Sequence, residues 1–82
     1  MNYVQILRSI SPDQFYTGMC NDTEKRLMAH NRGQSSHTAK YRPWKLVSCH
    51  WFEDEPPAAG FERYLKSGSG RAFAAKRLRG SA

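Results

Sequence analysis

Two short runs of β-branched and aromatic residues, joined by a connector of only a few residues, constrain the fold of this chain most. The runs cover residues 3–8 and 15–20, and the connector between them contains Ser-Pro-Asp, which is typical of a turn. A connector this short cannot carry the chain across a sheet. The two runs are therefore predicted to be antiparallel neighbours in a hairpin.

The rest of the chain predicts one more strand and three helices. Asn21 and Glu24 form a capping-box pattern at the start of the first helix, and Gly33 suits the position just beyond its end. Acidic residues and two prolines at 53–57 favour the start of another helix. The predicted elements after the hairpin are a helix over 21–31, a polar loop over 34–43, a strand over 44–52, and helices over 58–66 and 71–78, with a Ser-Gly-Ser-Gly break at 67–70.

The order β-β-α-β-α-α is typical of an α+β domain with a three-stranded, mostly antiparallel sheet flanked by helices. A chain of 82 residues has room for one compact domain, expected over residues 1–78 and followed by a flexible tail at 79–82. Its 13 Lys and Arg exceed its 7 Asp and Glu, which gives a formal net charge of +6. A small basic domain is a candidate for binding a polyanion such as nucleic acid.

The cysteines and the hydropathy pattern bear on the compartment. Cys20 and Cys49 form no C-x-x-C pair and fall on predicted strands, so they are expected to be free, buried thiols in a reducing cytoplasm. A zinc site that joins them to His30 and His50 fits no known ligand spacing. No apolar run approaches the ~20 residues that a membrane span needs, and the chain starts directly on a strand, so neither a membrane partner nor a targeting segment is expected.

Five segments in a fixed order carry a family resemblance. They are Tyr-Val-Gln-Ile-Leu-Arg-Ser at 3–9, Phe-Tyr-Thr-Gly at 15–18, Asp-Thr-Glu-Lys-Arg-Leu to His-Asn-Arg-Gly at 22–33, Thr-Ala-Lys-Tyr-Arg-Pro-Trp-Lys-Leu-Val at 38–47, and Phe-Glu-Arg-Tyr-Leu-Lys-Ser-Gly-Ser-Gly-Arg-Ala-Phe at 61–73. Together they resemble the GIY-YIG nucleases, in particular the small single-domain bacterial branch, over about residues 3–75. The resemblance implies hydrolysis of DNA phosphodiesters with one divalent cation, Mg²⁺ or Mn²⁺.

The resemblance also implies roles for single residues. Glu62 stands in the place of the metal ligand, Arg26 in that of the arginine that stabilises charge on the phosphate, and Tyr16 in that of the tyrosine that organises phosphate and water. A hard oxygen-seeking ion and a planar guanidinium both suit an anionic phosphodiester. His30 shares a helix face with Arg26, and is expected either at the phosphate or as an imidazolium at the helix end.

The chain departs from the family at the third position of the first motif. The family has a tyrosine there, and this chain has Gln5. Glutamine has no titratable proton and cannot act as a general base. Tyr3 lies on the same strand face but is displaced along the strand by about 7 Å. Cleavage is therefore expected to be weak, metal-dependent and faster at alkaline pH.

Basic and aromatic side chains around the motifs are expected to contact the DNA backbone. They are Arg8, Lys40, Tyr41, Arg42, Lys66 and Arg71. Phosphate contacts supply affinity without reading sequence, and the chain has no zinc finger or helix-turn-helix that would read bases. By contrast, the large aromatics Trp51 and Phe73 are expected in the core.

These observations predict a metal-dependent endonuclease with low intrinsic sequence specificity. The alternative is a nucleic-acid-binding module of the same fold in which catalysis is weak or lost because of Gln5. A third interpretation, a protein-interaction domain, keeps the fold without nucleic acid. Metal-dependent cleavage separates the first from the second, and salt-dependent DNA binding separates the second from the third. The DNA structure that is cut, and any protein partner or homo-oligomer, are left open.

Overall fold

The computed structural model describes residues 2–9, 14–34 and 36–79. The elements are β1 (Tyr3–Ser9), β2 (Gln14–Cys20), α1 (Thr23–Asn31), α2 (Ser36–Ala39), β3 (Trp44–Trp51), α3 (Glu55–Lys66) and α4 (Gly68–Arg77). The predicted α+β class and the β-β-α-β-α-α order are confirmed. The single-turn helix α2 is an addition, because it lies in the segment predicted to be a loop. No helix among the described residues is long and apolar enough to span a membrane.

The three strands form one antiparallel sheet in the order β2-β1-β3. β1 is the central strand, and its Gln5 is opposite Gly18 on one side and Cys49 on the other. The pairing of β1 with β3 shifts register after Ile6. The Ser-Pro-Asp turn of the hairpin lies outside the described residues. β2 and β3 are thus the two edges of the sheet, and β2 carries the second motif along one of them.

The two faces of the sheet are covered by different helices. Val4 and Ile6 are buried against Ala58 and Leu65 of α3 and Ala74 of α4, and these five residues form the apolar core. Successive side chains of a strand alternate between faces. The side chains between and beside these two on β1 therefore point to the other face, which α1 and α2 cover.

Helices α3 and α4 meet at Ser67, which ends one helix and caps the next. Its hydroxyl donates to the Tyr64 carbonyl at 2.6 Å and accepts from the Gly70 backbone N–H at 3.2 Å. The Ser-Gly-Ser-Gly run was predicted to separate two helices, but α4 begins at Gly68. A serine N-cap stabilises a first turn by about 1 kcal/mol, which offsets the poor helix propensity of glycine. Gly70 is also buried at the crossing, where a side chain would collide with Tyr64.

Some residues that were expected in the core lie at the surface. Trp51 is 60% exposed, Phe73 is 38% exposed, and Cys49 is exposed, whereas Cys20 is buried. Both cysteines are free thiols, and burial raises the pKa of the Cys20 thiol. The expectation of buried side chains was wrong for Trp51, Phe73 and Cys49. An apolar run identifies a strand or helix, but it does not show which of its side chains the neighbouring elements cover.

Candidate active site

Tyr16 lies on the edge strand β2, and its ring folds back over Gly18 of the same motif. It is opposite Leu7 of β1 and so points to the face that α1 covers. On that face its ring packs against His30, with ring centroids 4.6 Å apart. The second motif thus places a half-buried phenol at the edge of the sheet, in contact with the helix that carries the predicted phosphate-binding residues.

His30 is almost completely buried at the end of α1. Its Nδ1 is hydrogen-bonded to Thr38 Oγ1 at 2.7 Å, and the Thr38 carbonyl accepts from Trp44 Nε1 at 2.9 Å. Burial lowers the pKa of His30, and the Arg26 guanidinium lowers it further. The structure therefore favours a neutral ring in contact with Tyr16, against the expectation of an imidazolium at the helix end.

A cleft of about 560 Å³ opens beside Tyr16 along the edge of the sheet. It is lined by Gln14, Phe15, Tyr16, Thr17, His37, Leu65, Lys66, Arg71 and Arg79. Two of the predicted DNA contacts, Lys66 and Arg71, therefore share the cleft with Tyr16. The lining contains three cationic side chains and no carboxylate, so it favours an anionic ligand.

Glu62 lies beside this cleft rather than in its lining. It precedes Lys66 by one helical turn on α3, so the two side chains share a helix face. Lys66 Nζ is 2.7 Å from Glu62 Oε2, and the Glu62 side chain is 19% exposed. Because Lys66 lines the cleft, the paired carboxylate lies next to it.

A divalent cation at Glu62 fits the chemistry of this carboxylate. The described residues contain no group of three or more His, Cys, Asp or Glu side chains that could hold a metal ion. Mg²⁺ does not need one, because it often keeps several waters and takes only one or two carboxylates. Glu62 is half-buried, its oxygens are hard ligands, and it is paired with the ammonium of Lys66 at the end of a long side chain. A cation would compete with that ammonium for the same oxygen.

Arg26 is not in the cleft with Tyr16. It is exposed on α1 and lines a second hollow, of about 360 Å³, with Met19 and Cys20 at the far end of β2. Both hollows follow β2, so Arg26 and Tyr16 lie along one edge of the sheet.

The two residues considered for water activation on β1 are also outside the cleft. Gln5 has no exposed surface, and neither its amide nitrogen nor its amide oxygen has a hydrogen-bond partner. Tyr3 is half-buried and lies opposite Cys20 and Trp51, further along β1 from the pairing partner of Tyr16. Neither side chain belongs to the lining of the cleft.

Three of the remaining predicted DNA contacts, Lys40, Tyr41 and Arg42, form a second basic region directly after α2. Lys40 lies over the Tyr41 ring, 5.2 Å from its centroid, and Arg42 Nε donates to the Ala39 carbonyl at 2.7 Å. Arg8 is half-buried over the ring of Phe15, 5.6 Å from its centroid. Since Phe15 lines the cleft, Arg8 borders it as well.

Three residues in and beside the cleft were not singled out from the sequence. His37 and Arg79 line the cleft, and Thr38 binds the buried His30. Arg79 was placed in the flexible tail, but its guanidinium lies 4.1 Å from the centroid of the Phe15 ring. Residues 80–82 of that tail lie outside the described residues. No sequence signal pointed to these positions, because each is defined by a partner on another element.

The family comparison agrees with the resemblance in the motifs. The GIY-YIG catalytic domain model matches residues 1–76. The chain belongs to the GIY-YIG family. A UPF0213 protein of Clostridium perfringens (strain 13 / Type A) is 42% identical over 67 residues, which cover 80% of this chain and 71% of that relative. No solved structure gives a significant match.

Membership of the GIY-YIG family suggests nuclease activity on DNA, and nucleases of this family generally use divalent metal ions. In this GIY-YIG domain the second motif borders the basic cleft, because Tyr16 lines it. Gln5, at the variant position of the first motif, is fully buried on the central strand and is not part of the cleft lining. Of the two motifs, the second therefore contributes residues to the cleft lining and the first does not.

Proposed function

We propose that this GIY-YIG protein is a metal-dependent endonuclease that hydrolyses DNA phosphodiesters with low intrinsic sequence specificity. The observation that carries the proposal is the basic cleft in which Tyr16 of the second motif stands with Lys66 and Arg71. Glu62 is paired with Lys66 and so lies beside that cleft. A phosphate, a candidate metal ligand and the family tyrosine can therefore meet in one place.

We expect the cations that line the cleft to bind the scissile phosphate. Arg71 and Arg79 are permanently charged, and a guanidinium donates two parallel hydrogen bonds to phosphate oxygens. Lys66 adds a point charge. The Tyr16 hydroxyl can donate to a phosphate oxygen or position the attacking water. These groups neutralise charge that grows in the transition state.

Glu62 is the residue that we expect to hold Mg²⁺ or Mn²⁺. When bound, such an ion supplies charge neutralisation at the phosphate and acidifies a water molecule. When Lys66 leaves Glu62, its ammonium is free to bind the phosphate. The ion pair therefore couples occupation of the Glu62 carboxylate by a cation to binding of DNA. We expect Arg26, which lies along the same edge of the sheet, to contact the DNA strand further along.

The site lacks the family tyrosine that would help to remove a proton from the attacking water. Gln5 is buried and cannot accept a proton. Among the described residues that line the cleft, His37 carries an imidazole nitrogen that can accept a proton. We assign proton acceptance to His37 as an imperfect substitute for the missing tyrosine.

A second candidate function has one specific observation in its favour. Gln5 is fully buried and outside the cleft lining, which supports a nucleic-acid-binding module with weak or lost catalysis. The basic cleft and the cations near α2 would then bind the backbone without cutting it. Those cations contact phosphates, which are the same in every sequence, so low sequence specificity follows in both cases.

Cleavage of supercoiled plasmid and branched DNA with Mg²⁺ or Mn²⁺ tests the nuclease. The wild type and Glu53→Gln, an exposed carboxylate away from the cleft, should cut. Glu62→Gln should reduce the rate by at least about 100-fold, a typical effect for a charge-stabilising group, while it still binds DNA. Mn²⁺ titration should show weaker binding to Glu62→Gln only. Equal Mn²⁺ affinity in all three proteins would refute Glu62 as the ligand, and binding without cleavage would favour the second function.

Salt dependence tests the mode of DNA binding. On duplex DNA, removal of one phosphate contact should make the slope of log affinity against log salt shallower by about 0.9. Arg71→Ala and Arg42→Ala should weaken binding to all DNA sequences alike, whereas Arg32→Ala, exposed at the end of α1, should change it little. A salt-independent affinity would instead support the protein-interaction domain. A clear preference for one short sequence would contradict backbone binding.

A further inference from the structure

Tyr64 on α3 and Phe73 on α4 form an exposed aromatic pair outside the cleft. These residues are 41% and 38% exposed, and their ring centroids are 6.0 Å apart. Phe61 continues the row, 6.5 Å from Tyr64 and only 25° from parallel with it. Tyr64 precedes Lys66 by two positions, which turns it about 200° around the helix and away from the cleft.

The backbone that carries this pair is held rigidly. A Cβ at Gly70 would collide with the Tyr64 carbonyl group, so α4 rests directly on the backbone of Tyr64. Ser67 fixes the same junction with two hydrogen bonds. The two rings are therefore presented by one preformed unit, and a ligand that binds them does not have to order it first.

The surroundings of the pair are strongly basic. Residues 68–79 contain no Asp or Glu, and their cations are Arg71, Lys76, Arg77 and Arg79. Arg71 lines the cleft, whereas Arg77 lies one helical turn after Phe73 and so on the same side of α4. A strand held by Arg71 in the cleft can therefore continue across α4, past Phe73, to Arg77.

The chemistry of the surface selects its occupant. The cores of protein–protein interfaces contain few charged residues. This surface carries a row of cations, so a protein partner fits it poorly. Duplex DNA keeps its bases stacked inside and offers no ring faces to an aromatic side chain. An unpaired base offers one, and aromatic rings flanked by cations are the usual means of binding single strands. A single strand also bends over a helix about 10 Å wide, whereas duplex DNA is stiff over about 150 base pairs.

We propose that Tyr64 and Phe73 bind an unpaired nucleobase of a DNA strand whose backbone runs from the cleft across α4, with one ring stacked on the face of the base and the other, tilted by 55°, against its edge. This rests on the proposed function for the position of the scissile phosphate. The substrate class is then DNA with a single-stranded segment next to the bond that is cut, such as a branch, flap or overhang. Sequence still matters little, because every base has a stacking face.

Fluorescence polarisation with labelled DNA in a chelator tests the proposal without cleavage. The three probes are a short oligothymidylate, an abasic strand of the same backbone length, and a duplex. The wild type should bind the oligothymidylate at least about fivefold more tightly than the abasic strand, the lower end of stacking by one base. Tyr64→Leu and Phe73→Leu keep an apolar side chain, so they should fold and lose this preference. Phe73→Trp should keep it.

Two controls separate stacking from charge and from general aromatic content. Trp51→Leu removes a more exposed ring on β3 and should leave the preference unchanged. Arg77→Ala should weaken the oligothymidylate and abasic strands equally. Equal wild-type affinity for these two probes would overturn the proposal, and so would a preference that survives Phe73→Leu. Self-association that Phe73→Leu abolishes would also overturn it, since the rings would then bind a second copy.

The binding test and the cleavage test fail independently. Absence of plasmid cutting with base-dependent binding intact would overturn the nuclease and leave the stacking surface. Metal-dependent cutting with base-independent binding would overturn the stacking surface and leave the nuclease.

Discussion

The ring of Tyr16 occupies the space that a side chain at position 18 would fill. A Cβ built on Gly18 would lie 2.8 Å from both Cε2 and the hydroxyl oxygen of Tyr16. Among the described residues only Gly33 has a positive φ, so Gly18 is needed for space and not for an unusual backbone conformation. The tyrosine and the glycine of the second motif thus act together: the glycine leaves room for the ring that borders the cleft.

Gly18→Ala should therefore displace the Tyr16 ring from the cleft and from His30. We expect cleavage to fall by about 10- to 100-fold, because a shift of about 1 Å in a positioning group has effects of this order. Plasmid cleavage and thermal melting check this, since the fold should survive. Gly60→Ala is the matched control, where the new Cβ would meet nothing nearer than 4.0 Å. An undiminished rate in Gly18→Ala would show that the ring position is not needed.

Replacement by alanine should have opposite effects on stability at the two glycines in the first turn of α4. In Gly70→Ala the new Cβ would collide with the Tyr64 backbone, so α3 and α4 must separate and we expect the free energy of unfolding to fall by about 3 kcal/mol or more. In Gly68→Ala nothing lies within 4 Å of the new Cβ, and the improved helix propensity should add up to about 1 kcal/mol. Urea unfolding measures both. Similar stabilities for the two variants would contradict this account of the junction.

The buried amide of Gln5 should reduce the stability of the fold. Its nitrogen and oxygen are both without partners, and an unsatisfied buried polar group costs about 1–3 kcal/mol. Gln5→Met keeps a similar shape and removes that cost, so its free energy of unfolding should rise by roughly this amount. Gln34→Met, at an exposed position, should change little. A loss of stability in Gln5→Met would mean that water satisfies the amide inside the protein.

Restoring the family tyrosine should restore catalysis. We expect Gln5→Tyr to raise the rate of metal-dependent cleavage at least about tenfold, near the low end of general-base effects, with DNA affinity unchanged. His37→Gln should slow the wild type more than it slows Gln5→Tyr, because the tyrosine offers another route for the proton. Rates measured on the four combinations check this. Wild-type activity that Gln5→Tyr does not improve would show that Gln5 is no defect.

The burial of His30 predicts how stability depends on pH. Because its pKa is lowered in the folded state, the unfolded state binds more protons below the ordinary imidazole value of about 6.5. Above that pH, the neutral His30 ring makes its full contribution to the free energy of unfolding. This contribution declines as the pH falls toward the lowered pKa of His30 in the folded state. Urea unfolding from neutral to mildly acidic pH should show this decline. It should be smaller in His30→Gln, and an equal slope in both proteins would rule out His30 as its source.

The local sequence was sufficient wherever an element is determined by its own residues. The hairpin strands, the first helix with Gly33 beyond its end, and the α+β order all follow from runs and caps that lie close together in the chain. The start of α4 does not, because Gly70 is accommodated by its packing on Tyr64 of another helix. The short helix α2 was missed because a single turn of four residues has no periodicity to detect.

The sequence by itself determined the family, the order of the elements and the motif that carries Tyr16 and Gly18. Only the tertiary structure decided that Tyr16 contacts His30, that Gln5 on the central strand is fully buried, and that Phe73 is exposed beside Tyr64. The reason is that a strand alternates its side chains and a helix repeats them, so a pattern fixes which residues share a face. Which face is covered, and by what, depends on packing between elements that are distant in the chain.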